Sequence, residues 1–311
     1  MSKNSNIFII LGPTSSGKTS LALSLCEKFN GEIISADSRQ VCKFMDIGTG
    51  KVPVKSDINV QRCADHWKFN NIKIWGYDLV DPGKYFSGYD FANYALKKAK
   101  EILEKGKTVF LVGGTGFYID LFTGKIKPSN VLPDMDLRSS LEQSSLSNLQ
   151  HKLKKMSKDV YDQIDQKNKV RLIRAIEKES SADVRDETLP YIKNAKFNYI
   201  GLTSARESLY KRTDDWVNEI WRGGLTEEVK SLVEMGYENS PKIKGIVYKE
   251  VFDYLEGVLT KPEAIQKTKF NLHSYIRRQQ TWFKKNNLIE WFDISKDDFK
   301  EIIYNRVKET L

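Results

Sequence analysis

Residues 12–19 have the types and the spacing of a loop that binds phosphate groups. They follow a G-x-x-x-x-G-K-T pattern, and the full run is Gly12, Pro13, Thr14, Ser15, Ser16, Gly17, Lys18 and Thr19. The glycines let backbone N–H groups converge on one anion, the lysine adds a positive charge, and the threonine hydroxyl can ligate Mg²⁺. The sequence therefore predicts a site for a phosphate chain with Mg²⁺, but it does not say which molecule carries the phosphates.

The segments around this loop have the order strand, loop, helix. Residues 7–11 are an apolar run too short for a helix, and residues 20–25 take up a helical period. A second buried strand over 32–35 precedes Asp37, and a third over 108–112 precedes a glycine-rich turn around Thr115. Because ligands bind beyond the carboxyl ends of parallel strands, we expect Asp37 to share a crevice with the phosphate loop. The alternative is that Asp37 is an ordinary helix cap or turn residue.

The remaining patterns predict an α/β fold: a P-loop NTPase-like parallel sheet flanked by helices, with an all-helical insertion domain. Residues 125–194 lack strand alternation and carry short, charged helical patterns, and a strand over 197–203 returns to the sheet. The predicted units are 1–124 (first part of the core), 125–194 (insertion) and 195–311 (second part of the core with C-terminal helices). Further expected elements are a strand region over 72–80 and helices over 87–105, 206–222, 226–235, 249–255 and 262–285.

Positive charge suggests a polyanionic partner. The net charge is +9 and the isoelectric point is near 9.1, although lysine-rich surfaces also serve solubility alone. On a predicted helix, one stripe carries Lys167, Arg171, Arg174 and Lys178, opposite apolar residues. Such a stripe suits a phosphate backbone, and a merely solvated face is the alternative. Arg277 and Arg278 add cations interleaved with aromatic residues in the long C-terminal helix.

Other classes of protein are disfavoured. The three cysteines and three histidines are scattered, without C-x-x-C spacing, so neither a disulfide framework nor a zinc site is expected. Residues 1–6 lead into the first strand without a signal pattern, and no apolar run approaches the roughly 18 residues of a membrane span. We expect a cytoplasmic protein that does not contact membranes.

Several local patterns together resemble the bacterial tRNA dimethylallyltransferases, over nearly the whole chain. The phosphate loop alone is shared with many unrelated enzymes, but its combination with the Asp37-Ser38 pair and the loop over 45–49 is specific. The matching segments are residues 12–19, 34–38, 45–49, 85–87, 90–91, 111–116, 171–175 and 278–283.

The resemblance implies transfer of a five-carbon dimethylallyl group from its diphosphate to the exocyclic amine of the adenosine 3′-adjacent to a tRNA anticodon. It assigns Asp37 as the base that accepts the amine proton, with Thr14 and Lys18 as further catalytic residues. Dimethylallyl diphosphate and the tRNA anticodon stem-loop are then the partners of a protein that we expect to be monomeric, with Mg²⁺ on Thr19. The diphosphate-binding residues would be 12–19 and Lys244.

The expected tRNA contacts come from several parts of the chain. The resemblance implies Asp37, Ser38, Arg39, Gln40, Thr115, Arg138, Arg171 and Arg174, and the C-terminal helix adds Arg277 and Arg278. The chain departs from the family pattern at two places. Where the family has an arginine before a glycine–tyrosine pair, this chain has Lys244-Gly245-Ile246-Val247-Tyr248, and His273-Ser274 stands where Arg-Gln is usual. Lys244 would contact the diphosphate as a point charge and not as a bidentate guanidinium.

Three alternatives remain open at this stage. A small-molecule or nucleotide kinase also begins with a phosphate loop, but the strand over 109–112 ends in glycines and not in a Walker-B aspartate. A relative that prenylates free adenine mononucleotides is possible, and the cationic insertion argues for RNA instead. The third is an RNA-binding protein without catalysis.

Overall fold

Strand β1 (Ser5–Leu11), the phosphate loop and helix α1 (Lys18–Lys28) open the fold in a computed structural model. The structure describes residues 5–53, 58–129, 131–181 and 188–311. Residues 1–4, part of the stretch without a signal pattern, lie outside the described residues. The apolar run of β1 is fully buried, because a parallel strand pairs with it on each side.

The described strands form one sheet whose centre is parallel. Strands β2 (Gly31–Ser35), β6 (Thr108–Gly113) and β7 (Ala195–Thr203) join β1, and the short strands are β3 (Val60–Arg62), β4 (Trp67–Phe69), β5 (Ile72–Trp75) and β8 (Glu290–Asp293). The order is β3-β4-β5-β2-β6-β1-β7-β8. The carboxyl ends of β1, β2 and β6 therefore lie side by side. The predicted α/β class with a mostly parallel sheet is confirmed.

One edge of the sheet differs from the prediction. Strand β4 pairs antiparallel with β3 on one side and with β5 on the other. Neither β3 nor β4 was predicted, because three residues are too few for a visible alternation. The predicted strand region over 72–80 ends at Trp75, since Gly76 and Asp78 have φ of 91° and 56° and leave the extended conformation. Val80 makes only an isolated bridge to Cys42.

Helices cover the sheet, and most lie close to their predicted bounds. They are α2 (Gly88–Glu104), α3 (Gly116–Phe122), α8 (Arg206–Arg222), α9 (Leu225–Glu234), α10 (Tyr248–Leu255), α11 (Lys261–Phe283) and α12 (Phe299–Thr310). Ser87 and Asp90 form a reciprocal capping box on α2. Helices α3 and α12 and strand β8 were not predicted. Within the described ranges, no helix combines the length and the apolar character that crossing a membrane requires.

The chain divides into two compact units, one containing the sheet and one spanning Lys127–Leu189. The second unit overlaps the predicted insertion and contains α4 (Met135–Glu142), α5 (Leu146–Met156), α6 (Lys158–Gln163) and α7 (Lys169–Ser180). Its core consists of buried side chains on α4, α5 and α7, among them Leu141, Leu153, Leu172 and Ile176. Lys167 precedes α7, which is capped by Asn168, so the predicted four-residue stripe loses its first member.

A buried carboxylate ties this unit together. Glu177 on α7 is fully buried, and it accepts hydrogen bonds from Arg138 Nε (2.8 Å), Arg138 Nη2 (2.9 Å) and the Asp134 backbone N–H (2.7 Å). Arg174 Nη1 also bonds to it. These partners hold the pKa of Glu177 below its usual value even though burial opposes ionisation. The carboxylate is therefore charged at neutral pH and connects α4 with α7.

We expect Glu177→Gln to destabilise the helical unit by about 1–3 kcal/mol, because two arginines lose a charged partner while staying partly hydrated. Its folded pKa is lowered, so this stabilisation is present above the unfolded pKa of about 4.3 and is lost as pH falls through the folded value. Hydrogen exchange of the α7 amides in the full chain measures the effect. Glu179→Gln, on the exposed side of the same helix, is the control. Equal protection in both variants would contradict a stabilising role for Glu177.

Candidate active site at the carboxyl edge of the sheet

The phosphate loop has a backbone path that only glycine allows at two positions. Gly12 has φ 148°, and a Cβ there would lie 2.4 Å from the Leu202 carbonyl oxygen. Gly17 has φ 82° in the left-handed region and caps α1. The loop therefore turns tightly from β1 into the N-terminus of α1, where backbone N–H groups and the helix dipole favour an anion.

Two side chains from distant helices hold the loop. Gln279 on α11 is 4% exposed, and its Oε1 accepts the Thr14 backbone N–H at 2.9 Å while its Nε2 donates to the Gly114 carbonyl at 3.0 Å. Thr213 on α8 is fully buried, and its hydroxyl lies 3.0 Å from the Ser15 hydroxyl. The loop that follows β1 is thus tied to the loop that follows β6 and to α8.

Lys18 places a cation in this loop. Its Nζ donates to the Pro13 carbonyl at 2.7 Å and lies 3.5 Å from Ser16 Oγ. Burial lowers the pKa of Lys18 to about 8, and the negative charge of Asp37 opposes that shift. An anion in the loop would favour the charged form of the lysine. The loop is therefore suited to a negatively charged ligand.

Asp37 and the phosphate loop face one cavity of about 240 Å³. Asp37 Oδ1 accepts the Arg39 backbone N–H at 2.8 Å. This hydrogen bond is the turn role that the sequence allowed for Asp37, and the residue also lines the cavity. The described lining residues are Thr14, Ser15, Gly17, Lys18, Thr19, Ser20, Asp37, Gln40, Thr49, Gly50, Val112, Gly113, Gly114 and Trp216. The structure thus brings an aspartate, a lysine and three threonines to one cavity.

Other predicted residues surround the cavity without lining it. Gly12, Pro13 and Ser16 are buried. The Thr115 hydroxyl accepts the Ser38 backbone N–H at 3.0 Å, and Arg39 Nη1 donates to the Lys242 carbonyl at 2.8 Å. Gln40, which does line the cavity, bonds to the Ser35 hydroxyl and the Thr49 carbonyl. Several polar groups predicted to contact RNA therefore have partners within the protein.

Three predicted cations lie elsewhere on the sheet-containing unit. Lys244 is exposed and is not among the cavity-lining residues, so its contact with a diphosphate stays a prediction. Arg277 donates to the Tyr210 hydroxyl at 3.0 Å and the Ser274 hydroxyl at 2.7 Å, and Arg278 lies 5.6 Å from the Tyr275 ring centre. Burial, with a further contribution from Asp37, raises the pKa of Tyr275 to about 12, so its hydroxyl stays protonated near the acid.

Sequence reasoning missed the contribution of α8. Arg212 is exposed, with Nη2 3.8 Å from the position of a Cβ on Gly17, and Trp216 one turn later lines the cavity. Arg212, Thr213 and Trp216 share one side of the helix. The sequence shows this spacing, but only the packing of α8 beside the phosphate loop distinguishes it from any other amphipathic helix.

A second carboxylate holds the loop at 45–50, which supplies Thr49 and Gly50 to the cavity wall. Glu228 on α9 accepts the backbone N–H groups of Asp46 (2.9 Å), Ile47 (2.7 Å) and Gly48 (3.1 Å). The Tyr248 hydroxyl donates to the same carboxylate at 2.7 Å. Four donors on one anion fix this loop strongly, because hydrogen bonds to charged groups are the stronger class.

A buried lysine anchors the same loop from its other side. Lys51 is 1% exposed, and its Nζ bonds to Asp46 Oδ1 at 3.0 Å, to Asp78 and to the Cys42 carbonyl. Trp67 Nε1 donates to the other oxygen of Asp78 at 2.7 Å. A buried ammonium persists only when it is paired in this way. The cavity wall is therefore preorganised.

Fold and site together define the class: an α/β phosphate-loop protein in which an aspartate and the loop line the same cavity. Within the described residues, no group of three or more His, Cys, Asp or Glu side chains could hold a metal ion. The profile of the IPP transferase family matches residues 40–286, and that of isopentenyl transferases matches residues 5–63. The chain belongs to the IPP transferase family.

Relatives support this assignment over nearly the full length. The chain is 38% identical to the tRNA dimethylallyltransferase of Acetivibrio thermocellus, covering 94% of this chain and 93% of that protein. It is 36% identical to that of Finegoldia magna, covering 97% of both. The crystal structure of the full-length tRNA isopentenylpyrophosphate transferase from Bacillus halodurans is similar, with a TM-score of 0.70, 32% identity, and coverage of 98% of this chain and 96% of that one.

Glu228→Gln should loosen the loop at 45–50, because an amide NH₂ would face backbone donors where a carboxylate oxygen now accepts them. We expect the amides of Asp46, Ile47 and Gly48 to exchange with solvent about 10–100-fold faster, as the loss of charged hydrogen bonds predicts. Hydrogen exchange with mass spectrometry measures this. The adjacent Glu227 is exposed, so Glu227→Gln serves as the matched control. Unchanged exchange in the Glu228 variant would show that the carboxylate does not hold the loop.

Proposed function

We propose that this protein transfers a dimethylallyl group from dimethylallyl diphosphate to the exocyclic amine of the adenosine 3′-adjacent to the anticodon of tRNA. One observation carries the proposal: the phosphate loop and the Asp37 carboxylate face the same cavity. The reaction needs both groups in one cavity, because the loop binds the diphosphate of the donor and the carboxylate accepts the proton of the amine. The family match supports the same reaction, and it removes the reason for assigning a kinase.

The chemistry follows from the charges in the cavity. As the allylic carbon–oxygen bond breaks, its electron pair leaves with the diphosphate, and the loop N–H groups and Lys18 stabilise that charge. The amine lone pair forms the new carbon–nitrogen bond, and Asp37 accepts the proton that the nitrogen loses. Arg212 lies beside Gly17 and adds a guanidinium near the leaving group. Gln279 holds the Thr14 backbone N–H in the phosphate loop by a hydrogen bond.

A magnesium ion fits the donor chemistry of the site. Thr19 and Asp37 both line the cavity and carry side-chain oxygens, and Mg²⁺ prefers oxygen ligands and is bound with substrate phosphates. Thr19 would hold the ion together with phosphate oxygens. When bound, the ion neutralises part of the charge on the diphosphate.

A cytoplasmic location and a monomeric state stay predictions.

The target adenosine must leave its stack to reach such a cavity, at a cost of a few kcal/mol. Contacts to the surrounding RNA offset this cost, and the helical unit offers cations for them. Arg171 and Lys178 are exposed on α7, and with Arg174 they line a groove of about 420 Å³. Of the predicted RNA contacts on this unit, we assign Arg171 first, because Arg138 and Arg174 already pair with Glu177.

We expect Asp37→Asn to lower the turnover of tRNA by about 10²–10⁴-fold, because an amide keeps the bond to the Arg39 N–H but cannot accept the proton. The affinity for tRNA should stay largely unchanged. Mass spectrometry of nucleosides from unmodified tRNA, incubated with the protein, Mg²⁺ and dimethylallyl diphosphate, measures the product. A parallel incubation with adenine mononucleotides tests the alternative acceptor. Wild-type turnover in the variant would remove Asp37 from the mechanism.

Arg171→Ala should weaken tRNA binding and reduce the slope of log affinity against log salt by about 1, because one phosphate contact is lost. The rate at saturating tRNA should be unchanged. Filter binding at several salt concentrations measures the slope. Arg306→Ala, which removes an exposed arginine paired with Glu290, is the control. A slope equal to that of wild type would mean that Arg171 only faces solvent.

A further inference from the structure

Few of the side chains that line the cavity are apolar. Among the described residues that line it, Trp216 has the only aromatic side chain, and Val112 is the only aliphatic one. The remaining lining residues are glycines and residues with polar or charged side chains. A five-carbon hydrocarbon gains free energy by leaving water only where it meets apolar surface, so the position of Trp216 is informative about the donor.

Helix α8 separates two kinds of contact along its length. At Arg212 and Thr213 it meets the phosphate loop, through the guanidinium near Gly17 and the hydroxyl at Ser15. Trp216 comes three residues later, which is about 4.5 Å further along the helix axis. Its ring lies against the 45–50 loop, with Cζ2 3.7 Å from the position of a Cβ on Gly50. The contacts to the phosphate loop and the aromatic contact are therefore separated along the helix axis, as the diphosphate and the hydrocarbon chain are separated in a prenyl diphosphate.

The wall that Trp216 completes is rigid. Gly50 belongs to the loop that Glu228 clamps through backbone N–H groups, and Gln40 donates to the neighbouring Thr49 carbonyl at 3.1 Å. The cavity volume of about 240 Å³ lies below the range of about 300–1,000 Å³ for sites that bind drug-sized molecules. A longer hydrocarbon chain that extends toward Trp216 would need the volume that the indole ring occupies.

We propose that Trp216 packs against the hydrocarbon chain of the prenyl diphosphate and limits the donor to five carbons. This inference rests on the proposed function, and it assigns the indole ring as the determinant of chain length. Trp216 is then a specificity residue. Discrimination against a longer chain comes from steric exclusion, whereas the diphosphate end is bound by the loop in either donor.

Trp216→Ala should enlarge the pocket and admit geranyl diphosphate, a ten-carbon donor. We expect the ratio of kcat/KM for geranyl to that for dimethylallyl diphosphate to rise at least about tenfold, within the range that a hydrophobic pocket discriminates. The inhibition constant of inorganic diphosphate should change by less than about threefold, because the loop contacts remain. Trp216→Phe should give an intermediate ratio. Trp291→Ala, which truncates a partly exposed tryptophan on β8 outside the cavity, should leave the ratio unchanged.

The outcomes separate this inference from the proposed function. If wild-type protein produces no prenylated adenosine from tRNA, the proposed function fails. If it does, but Trp216→Ala and Trp216→Phe keep the wild-type donor ratio, only the role of Trp216 is overturned. A raised KM for tRNA at an unchanged donor ratio would likewise overturn it, since the ring would then stack on the adenine. The Phe variant keeps an aromatic ring, so a failure of the Ala variant to fold still leaves a measurable series.

Discussion

The site depends on a concentration of positive charge that only an anion can balance. Lys18 stands at the N-terminus of α1 with the loop N–H groups, and burial lowers the pKa of its ammonium group. Such an arrangement repels itself unless other interactions hold it. Gln279 and Thr213 supply them, one to the Thr14 backbone and one to the Ser15 hydroxyl. The loop is therefore shaped before a ligand arrives, which is the form of electrostatic preorganisation that stabilises a leaving group.

Two carboxylates near the cavity have different roles because their hydrogen-bond partners differ. Asp37 lines the cavity, and its Oδ1 accepts the Arg39 backbone N–H, which leaves acceptor capacity on the carboxylate for the role that we propose. Glu228 accepts three backbone N–H groups and a tyrosine hydroxyl, so its acceptor capacity is used within the protein. Glu228 shapes the wall against which Trp216 packs. Environment, not residue type, separates the acid that we assign to chemistry from the acid that holds a loop.

Charge on the helical unit follows a similar rule. The spacing of residues along a helix shows which cations share one face. It does not show which of them are already paired with a carboxylate of the protein. Arg174 belongs to the predicted stripe and pairs with Glu177, a buried carboxylate that Arg138 also contacts. Arg171 and Lys178 remain exposed on the same helix. The electrostatic attraction of this unit for a polyanion is therefore carried by fewer side chains than the sequence indicates, and removing a paired arginine also costs stability.

The sequence by itself determined the parallel core, the phosphate loop and the proximity of Asp37 to it. Long apolar runs specify buried strands, and the topology of a parallel sheet brings their carboxyl ends together whatever the side chains are. It could not show the short edge strands β3 and β4, because three residues carry no period. Nor could it show Gln279, Thr213 and Arg212 at the phosphate loop or Trp216 at the cavity, since these residues are more than 190 positions from that loop in the chain. Only the packing of α8 and α11 against the loop decides which of their side chains contact it, because the spacing of residues on a helix does not show what the helix packs against.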